Sequence, residues 1–215
     1  NNWILNGSKT FITNGQHADI IIVAAKTNLQ TKGSAGISLF LVNANSEGFS
    51  KGRNLEKLGL HSSDTSELFF NEITLPKDSI LGGENKGFIA LMKELPRERL
   101  VLAINAVAAV RGMLDITSNY VKEREAFGKP IAKFQNLRFK FAEMETKYRL
   151  NSSFIKECID LFQNNNLDTS SASMAKLTST ETQCEVADTC LQMFGGYGYM
   201  KEYPISRAFA DARIQ

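Results

Sequence analysis

The chain has 215 residues, of which 43% are hydrophobic and 22% are charged, so it is long and apolar enough to bury the core of one large or two small domains. Its 25 basic and 23 acidic side chains give a formal net charge of +2, and no long run carries a single sign. This balance excludes the basic footprint of a nucleic-acid-binding protein. The expected partners are therefore small molecules or other proteins.

Cysteine usage indicates a reducing compartment. Cys158, Cys184 and Cys190 cannot all pair within one chain, and each lies in apolar, helix-like sequence. Such cysteines are typical of small core residues, so no disulfide framework is expected. No apolar run approaches the roughly 18 to 20 residues that span a bilayer, and no signal-peptide pattern opens the chain. We therefore expect no transmembrane segment. Because the chain opens on Asn1 and stops at Gln215, we expect it to be a fragment.

The first 82 residues have the pattern of β structure. Short apolar or alternating runs predict strands at residues 3–5, 9–13, 19–25, 37–42 and 67–75. The dipeptides Asn6-Gly7, Asn14-Gly15 and Gly33-Ser34 separate these runs and supply residue types that favour tight turns. The pattern predicts an antiparallel sheet or a small barrel.

Helical periodicity replaces this pattern after Pro76 and the pair Gly82-Gly83, which predicts one domain over residues 1–82 and a second over 83–215. An apolar stripe from Phe134 to Phe162 predicts one long helix. Residues 100–110 are apolar almost all round, as expected for a helix buried inside a bundle. A further helix is predicted over about 170–194, ending at Gly195-Gly196.

Three features of the sequence resemble nucleotide- or metal-binding motifs but lack residues that those motifs require. The Gly-Ser-Lys-Thr that begins at Gly7 has neither the upstream glycine nor the Gly-Lys-Thr order of a phosphate-binding loop. The Gly-Tyr-Gly that begins at Gly196 has Lys201 in place of the third glycine of a dinucleotide fingerprint and follows a predicted helix, not a strand. His17 and His61 have no nearby ligands at metal spacing, so no metal site is expected.

Four segments together resemble the acyl-CoA dehydrogenase family. They are Lys-Thr-Phe-Ile-Thr-Asn-Gly at residues 9–15, Leu-Gly-Leu-His-Ser-Ser-Asp-Thr at 58–65, Arg-Glu-Ala-Phe-Gly-Lys at 124–129 and Gln-Met-Phe-Gly-Gly-Tyr-Gly at 192–198. The resemblance covers essentially the whole chain. It implies an α+β fold with a central antiparallel β domain, followed by an up-down four-helix bundle that is truncated here, with an N-terminal helical domain ahead of residue 1.

The resemblance also implies a catalytic base. The α proton of a thioester is weakly acidic, so a carboxylate must remove it while FAD accepts the β hydride. In most members of the family the base is a glutamate in a loop that would follow Gln215, which leaves that position open. Residues 95–100, however, read Leu-Pro-Arg-Glu-Arg-Leu and resemble the long-chain and isovaleryl types, which makes Glu98 the candidate base. An apolar acyl pocket would desolvate it. Arg97 and Arg99 flank it as candidate substrate contacts. A plain first-turn charge at Glu98 and a bundle ion pair at Arg99 are the alternatives.

Five candidate FAD contacts follow residue by residue from the same resemblance. Phe11 and Thr13 match the strand that lines the flavin ring, although family members usually have Trp where this chain has Phe11. An ordinary strand pair is the alternative there. Gln192 would offer a side-chain amide, while Gly195 and Gly196 would let the main chain approach the ligand. A simple helix cap is the alternative reading of the glycines.

Three further residues connect FAD binding to assembly. Arg124 and Phe127 lie between two predicted bundle helices, and Gln135 begins the second one. In the family the matching arginine reaches the FAD pyrophosphate of a neighbouring subunit, a role that suits guanidinium geometry. The resemblance therefore implies a homo-oligomer, commonly a tetramer.

The predicted enzyme would oxidise acyl-CoA and pass electrons to electron-transfer flavoprotein. An acyl-CoA oxidase or flavin monooxygenase of the same fold, or a non-catalytic helical interaction module, are the alternatives. The position of Glu98 favours long-chain or branched substrates without choosing between them. A bacterial cytoplasm and a mitochondrial matrix fit equally well.

Overall fold

The computed structural model describes residues 2–215 and divides the chain into two compact units, one up to Glu94 and one from Leu95 onward. The first unit is the β unit and the second is the helical unit. The helix α1, Gly87–Glu123, begins within the β unit and continues into the helical unit. The fold class predicted from the sequence, α+β with antiparallel sheets and a helical bundle, is confirmed.

The β unit contains two three-stranded antiparallel sheets. Its strands are β1 Trp3–Thr13, β2 Ile20–Lys26, β3 Ile37–Asn43, β4 Phe49–Asn54, β5 Thr65–Leu75 and β6 Ile80–Leu81. The first sheet has the order β1-β5-β4 and the second has the order β2-β3-β6. Alternate residues of both sheets point into one shared core, which contains Leu5, Leu68 and Ile73 from the first sheet and Val23 and Phe40 from the second.

The β unit differs from the sequence prediction in three details, one of which is that the two-residue strand β6 was not predicted. The pair Asn6-Gly7 is not a turn but part of the continuous strand β1, and it lies opposite a bulge in β5, where the pairing of the two strands shifts register. The Asn6 side chain accepts a hydrogen bond from the Glu72 backbone N–H (2.8 Å), which ties β1 to β5 at the bulge. Strand β4 was not predicted, because Phe49 is its single large apolar residue and no alternation marks it. Pairing with β5 holds it in the sheet.

The helical unit contains most of α1 and three further helices, α2 Gln135–Gln163, α3 Thr169–Met193 and α4 Pro204–Ala212. A short hairpin of β7 Glu125–Ala126 and β8 Lys129–Pro130 joins α1 to α2, and a 3-10 helix, Gly195–Tyr199, lies between α3 and α4. The helices predicted over 134–162 and 170–194 are confirmed to within a residue or two. Phe134 is the N-cap of α2 and not part of it.

Helix α1 has one packed side and one exposed side. Leu100, Ala103 and Val107 are buried, whereas Val101 and Ile104 are 58% and 39% exposed, so the prediction that residues 100–110 are buried all round is wrong. Within residues 2–215, α1 is the one helix that is long and apolar enough by composition to cross a membrane, with a mean hydropathy of 1.6 over 18 residues. The sequence analysis expected no apolar run of 18 to 20 residues, and that expectation is wrong for α1. The core helix of a soluble protein meets the same criterion.

Candidate functional site

A groove of about 410 Å³ in the helical unit brings together three of the residues that the sequence singled out. Arg124 lies on one side of it, directly after α1, and Gly195 and Gly196 lie on another, directly after α3. The groove is completed by the side chains of Tyr120, Ile131, Met193, Phe194, Tyr197 and Met200. A cation and exposed backbone in one concave surface are suited to an anionic ligand.

The two glycines shape the groove at the end of α3. Gly195 has a φ of +58°, a left-handed conformation that costs little only for glycine. A Cβ atom built on Gly195 or on Gly196 would have no heavy atom within 4 Å. The main chain at both positions therefore faces open space, and a ligand can approach it closely. Gly195 also directly follows Phe194, the C-cap of α3, so a role in ending the helix and a role in contacting a ligand are compatible.

Packed aromatic side chains support the turn at Phe194 and Gly195. The rings of Tyr120 and Phe194 stack with centroids 3.9 Å apart and an interplanar angle of 13°, and the Tyr120 hydroxyl donates to the Phe194 carbonyl at 3.3 Å. Tyr203 meets both rings edge-on, with centroids 6.2 and 5.9 Å away. Burial raises the pKa of Tyr120, and the nearby charge of Arg124 opposes that shift. Residue 194, which directly precedes Gly195, is thereby fixed in place.

Arg124 is anchored through its backbone and placed over an aromatic ring. Its N–H donates to the Tyr120 carbonyl and its carbonyl accepts from the Ile131 N–H, both at 2.8 Å. Its guanidinium carbon lies 5.4 Å from the centroid of the Tyr197 ring, which is within cation–π distance. Hydrogen bonds on both sides thus fix where Arg124 leaves α1, and the Tyr197 ring supports its charged end.

The other candidate cofactor residues of the helical unit lie outside the lining of this groove. Phe127 forms the tip of the hairpin with a φ of +53° and is 94% exposed, and its ring meets Phe134 edge-on at 6.1 Å. Gln135 is exposed at the start of α2, and Gln192 is exposed in the last turn of α3. All three are accessible to a ligand or to a second subunit.

In the β unit, Phe11 is the most unusual residue of β1. It has a φ of +61° and is 76% exposed, and it lies where the pairing with β5 shifts between Lys9 and Ile12. This conformation is uncommon for a non-glycine residue and turns the ring away from the core. Phe11 lines a shallow pocket of about 540 Å³ together with residues 53–56. Thr13 is exposed at the end of β1 and pairs with Thr65.

Glu98 lies on the exposed side of α1, next to apolar side chains. Val101 and Leu102, three and four residues further along the helix, are 58% and 39% exposed. The apolar enclosure predicted around Glu98 is not formed within residues 2–215, since the carboxylate is accessible. Arg97 is also exposed, whereas Arg99 is partly buried and donates to the Ser173 hydroxyl of α3 at 3.2 Å.

The sequence reasoning missed the aromatic residues around the groove. Tyr120 precedes Arg124 by four residues and therefore shares a face of α1 with it, which was a usable signal. The contacts of Tyr197 and Tyr203 depend on how α4 packs, and no local pattern encodes that. Within residues 2–215, no group of three His, Cys, Asp or Glu side chains is placed to hold a metal ion.

This chain belongs to the acyl-CoA dehydrogenase family. Residues 1–73 match the family's middle domain and residues 85–215 match its C-terminal domain. Among individual relatives, the mitochondrial long-chain specific acyl-CoA dehydrogenase of Mus musculus is 50% identical over 214 residues, covering 99% of this chain and 50% of that protein. The Caffeyl-CoA reductase-Etf complex subunit CarC of Acetobacterium woodii is 40% identical, covering 99% of this chain and 56% of that protein.

Solved structures of the family have the same architecture. An acyl-CoA dehydrogenase from Geobacillus kaustophilus superposes with a TM-score of 0.97 at 46% identity, covering 99% of this chain and 56% of that one. A glutaryl-CoA dehydrogenase from Mycobacterium smegmatis, in complex with FADH2, gives 0.91 at 30% identity, covering 99% and 53%. The chain thus spans about half the length of the relatives that it matches.

Proposed function

We propose that the protein containing this chain is an FAD-dependent dehydrogenase that oxidises the Cα–Cβ bond of an acyl-CoA thioester. The observation that carries this proposal is the groove that Arg124 and the open backbone of Gly195 and Gly196 line together. The membership of the family and the 50% identity to a long-chain enzyme support the same reaction. Long-chain or branched acyl groups are the substrates we propose.

The groove fits part of FAD by its chemistry. A guanidinium and close-approaching main chain are suited to a pyrophosphate, which needs charge and several N–H donors. In this proposal Arg124, Gly195 and Gly196 contact that group, with Phe127, Gln135 and Gln192 as further contacts at exposed positions. Phe11 and Thr13 would line the flavin ring. When bound, FAD supplies the acceptor for the hydride that leaves Cβ of the substrate.

Glu98 is the base in this mechanism. Its carboxylate removes the proton from Cα, and the electron pair left on Cα forms the new double bond as hydride leaves Cβ. The exposed side chains of Val101 and Leu102 beside it offer an apolar surface for the acyl group. A bound acyl chain would exclude water from Glu98 and so favour its proton transfer. Arg97 and Arg99 would orient the substrate, with Arg99 held by Ser173.

For the partners, we propose electron-transfer flavoprotein as the electron acceptor and a homotetramer as the assembly. The name of the Acetobacterium woodii relative, which places that protein in a complex with Etf, supports the first of these. The accessible position of Phe127 on the hairpin supports the second, because an aromatic side chain that is 94% exposed is suited to an intersubunit contact.

The proposed activity is tested by anaerobic mixing of the full-length, FAD-loaded protein with palmitoyl-CoA and, separately, with isovaleryl-CoA, while flavin absorbance is followed. Bleaching with either substrate supports the reaction and chooses the substrate class. Bleaching followed by rapid reoxidation on admission of oxygen would favour an oxidase instead. A failure of every acyl-CoA to bleach the flavin would contradict the proposal.

The role of Glu98 is tested by Glu98→Gln in the same protein. Loss of a general base should lower the rate of flavin reduction about a hundredfold or more. Glu94→Gln is the matched control, since Glu94 is also exposed and lies one turn earlier on α1, and its rate should stay near that of the wild type. Retained activity in Glu98→Gln would rule Glu98 out, whereas loss of bound FAD would indicate a structural role.

A further inference from the structure

We propose that Tyr197 is a positioning residue that holds the Arg124 guanidinium where it meets the pyrophosphate of the cofactor. This inference rests on the proposed function, because it needs FAD at the groove. It concerns a residue that the sequence did not single out and that touches the cofactor-binding arginine through its ring. The relevant observation is that both side chains line the same groove, with the guanidinium carbon 5.4 Å from the ring centroid.

The surroundings of Arg124 make this ring contact important. Among residues 2–215, Arg124 takes part in no ion pair, and its hydrogen bonds to Tyr120 and Ile131 involve the backbone only. An arginine side chain without a fixed partner samples many rotamers and loses that freedom when it binds an anion. The face of Tyr197 restricts the guanidinium before the ligand arrives, and such preorganisation strengthens binding.

The Tyr197 ring is itself held in place. Its centroid lies 5.1 Å from that of Tyr203, and Tyr203 meets Phe194 and Tyr120 edge-on. Tyr197 nevertheless stays 44% exposed, so part of its surface is open to the groove. The backbone turn at Gly195 and the guanidinium of Arg124 are therefore supported by one connected set of aromatic rings. Tyr197 is the member of that set whose ring lies against the guanidinium of Arg124.

The test measures the equilibrium affinity of the full-length apoprotein for FAD through the change in flavin fluorescence. A cation–π contact at a partly exposed position stabilises by enough to change an affinity by about two- to fivefold. Tyr197→Leu should weaken FAD binding by that factor, while Tyr197→Phe keeps the ring and should bind within about twofold of the wild type. Tyr197→Asn serves the same purpose if the leucine variant does not fold.

A double-mutant cycle separates positioning from general support of the fold. In an Arg124→Met background, Tyr197→Leu should have no further effect on FAD affinity, because the residue it positions is gone. Equal weakening in both backgrounds, or equal weakening by phenylalanine and leucine, would overturn the inference. If acyl-CoA bleaches the flavin of the wild type and Tyr197→Leu binds FAD normally, the role of Tyr197 is overturned while the proposed function stands. A wild type that binds no FAD would overturn the proposed function together with it.

Discussion

The two ends of α1 differ in how completely the chain encloses them. Towards its C-terminal end, Val110, Leu114 and Val121 are at most 2% exposed within a core that includes Phe194 and residues of α3 and α4. Towards its N-terminal end, Val101 and the neighbours of Glu98 remain accessible. The contrast shows that the groove is shaped by packing within the helical unit. The surface around Glu98 is accessible within residues 2–215, and we propose that the acyl group covers it.

The largest effect on stability should come from a leucine at the packed end. Leu114 is 1% exposed, so Leu114→Ala should lower the free energy of unfolding by about 2–5 kcal/mol, because it removes buried methyl groups and leaves a cavity. Leu102 on the same helix is 39% exposed, and Leu102→Ala should cost less than about 1 kcal/mol. Denaturant unfolding of both variants measures this. Similar losses would mean that the N-terminal end is also packed in solution.

A smaller effect on stability should distinguish alanine substitutions at the two glycines of the groove, Gly195 and Gly196. Gly195→Ala forces a side chain into a left-handed backbone conformation and should lower stability by about 1 kcal/mol. Gly196→Ala is the matched control, since its Cβ would also meet open space without a positive φ, and it should be close to neutral. Thermal unfolding of the apoprotein reports this difference without any contribution from the cofactor. Equal shifts in Tm would show that the turn relaxes around Gly195.

The smallest effect concerns pH at the start of α3, the helix whose Ser173 accepts from Arg99. Hydrogen bonds from the Ser171 side chain and N–H hold the pKa of the N-cap Asp168 below its ordinary value of 3.8. A lowered pKa in the folded state means that the stabilisation is present above that value and is lost as pH falls through the folded pKa.

The measurement for this effect is Tm as a function of pH for the wild type and Asp168→Asn. Asparagine also caps helices but does not titrate, so the variant should lose less stability than the wild type below about pH 4. Parallel curves for the two proteins between pH 6 and pH 3 would show that Asp168 does not contribute to acid unfolding.

The hydrophobic periodicity of the sequence predicted most of the strands and helices, because it indicates which face of each element is buried. The alternation in β5 and the stripe of α2 gave these elements nearly correct bounds, since strand and helix periods are properties of the chain itself. The same reasoning failed at Asn6-Gly7, where a dipeptide that suits a turn instead continues strand β1 opposite a bulge in β5. Pairing with a strand that lies more than sixty residues away decided that outcome.

The sequence by itself determined the fold class, through its local periodicity, and the family, through four short segments. Arg124, Gly195 and Gly196 became candidate cofactor contacts through that family resemblance. Only the tertiary structure decided that these three residues share one groove and that Tyr197 lies under the guanidinium. It also decided that Glu98 is accessible. The physical reason is that contacts between α1, α3 and the segment after α3 join residues far apart in the chain, and their geometry follows from packing rather than from any local pattern.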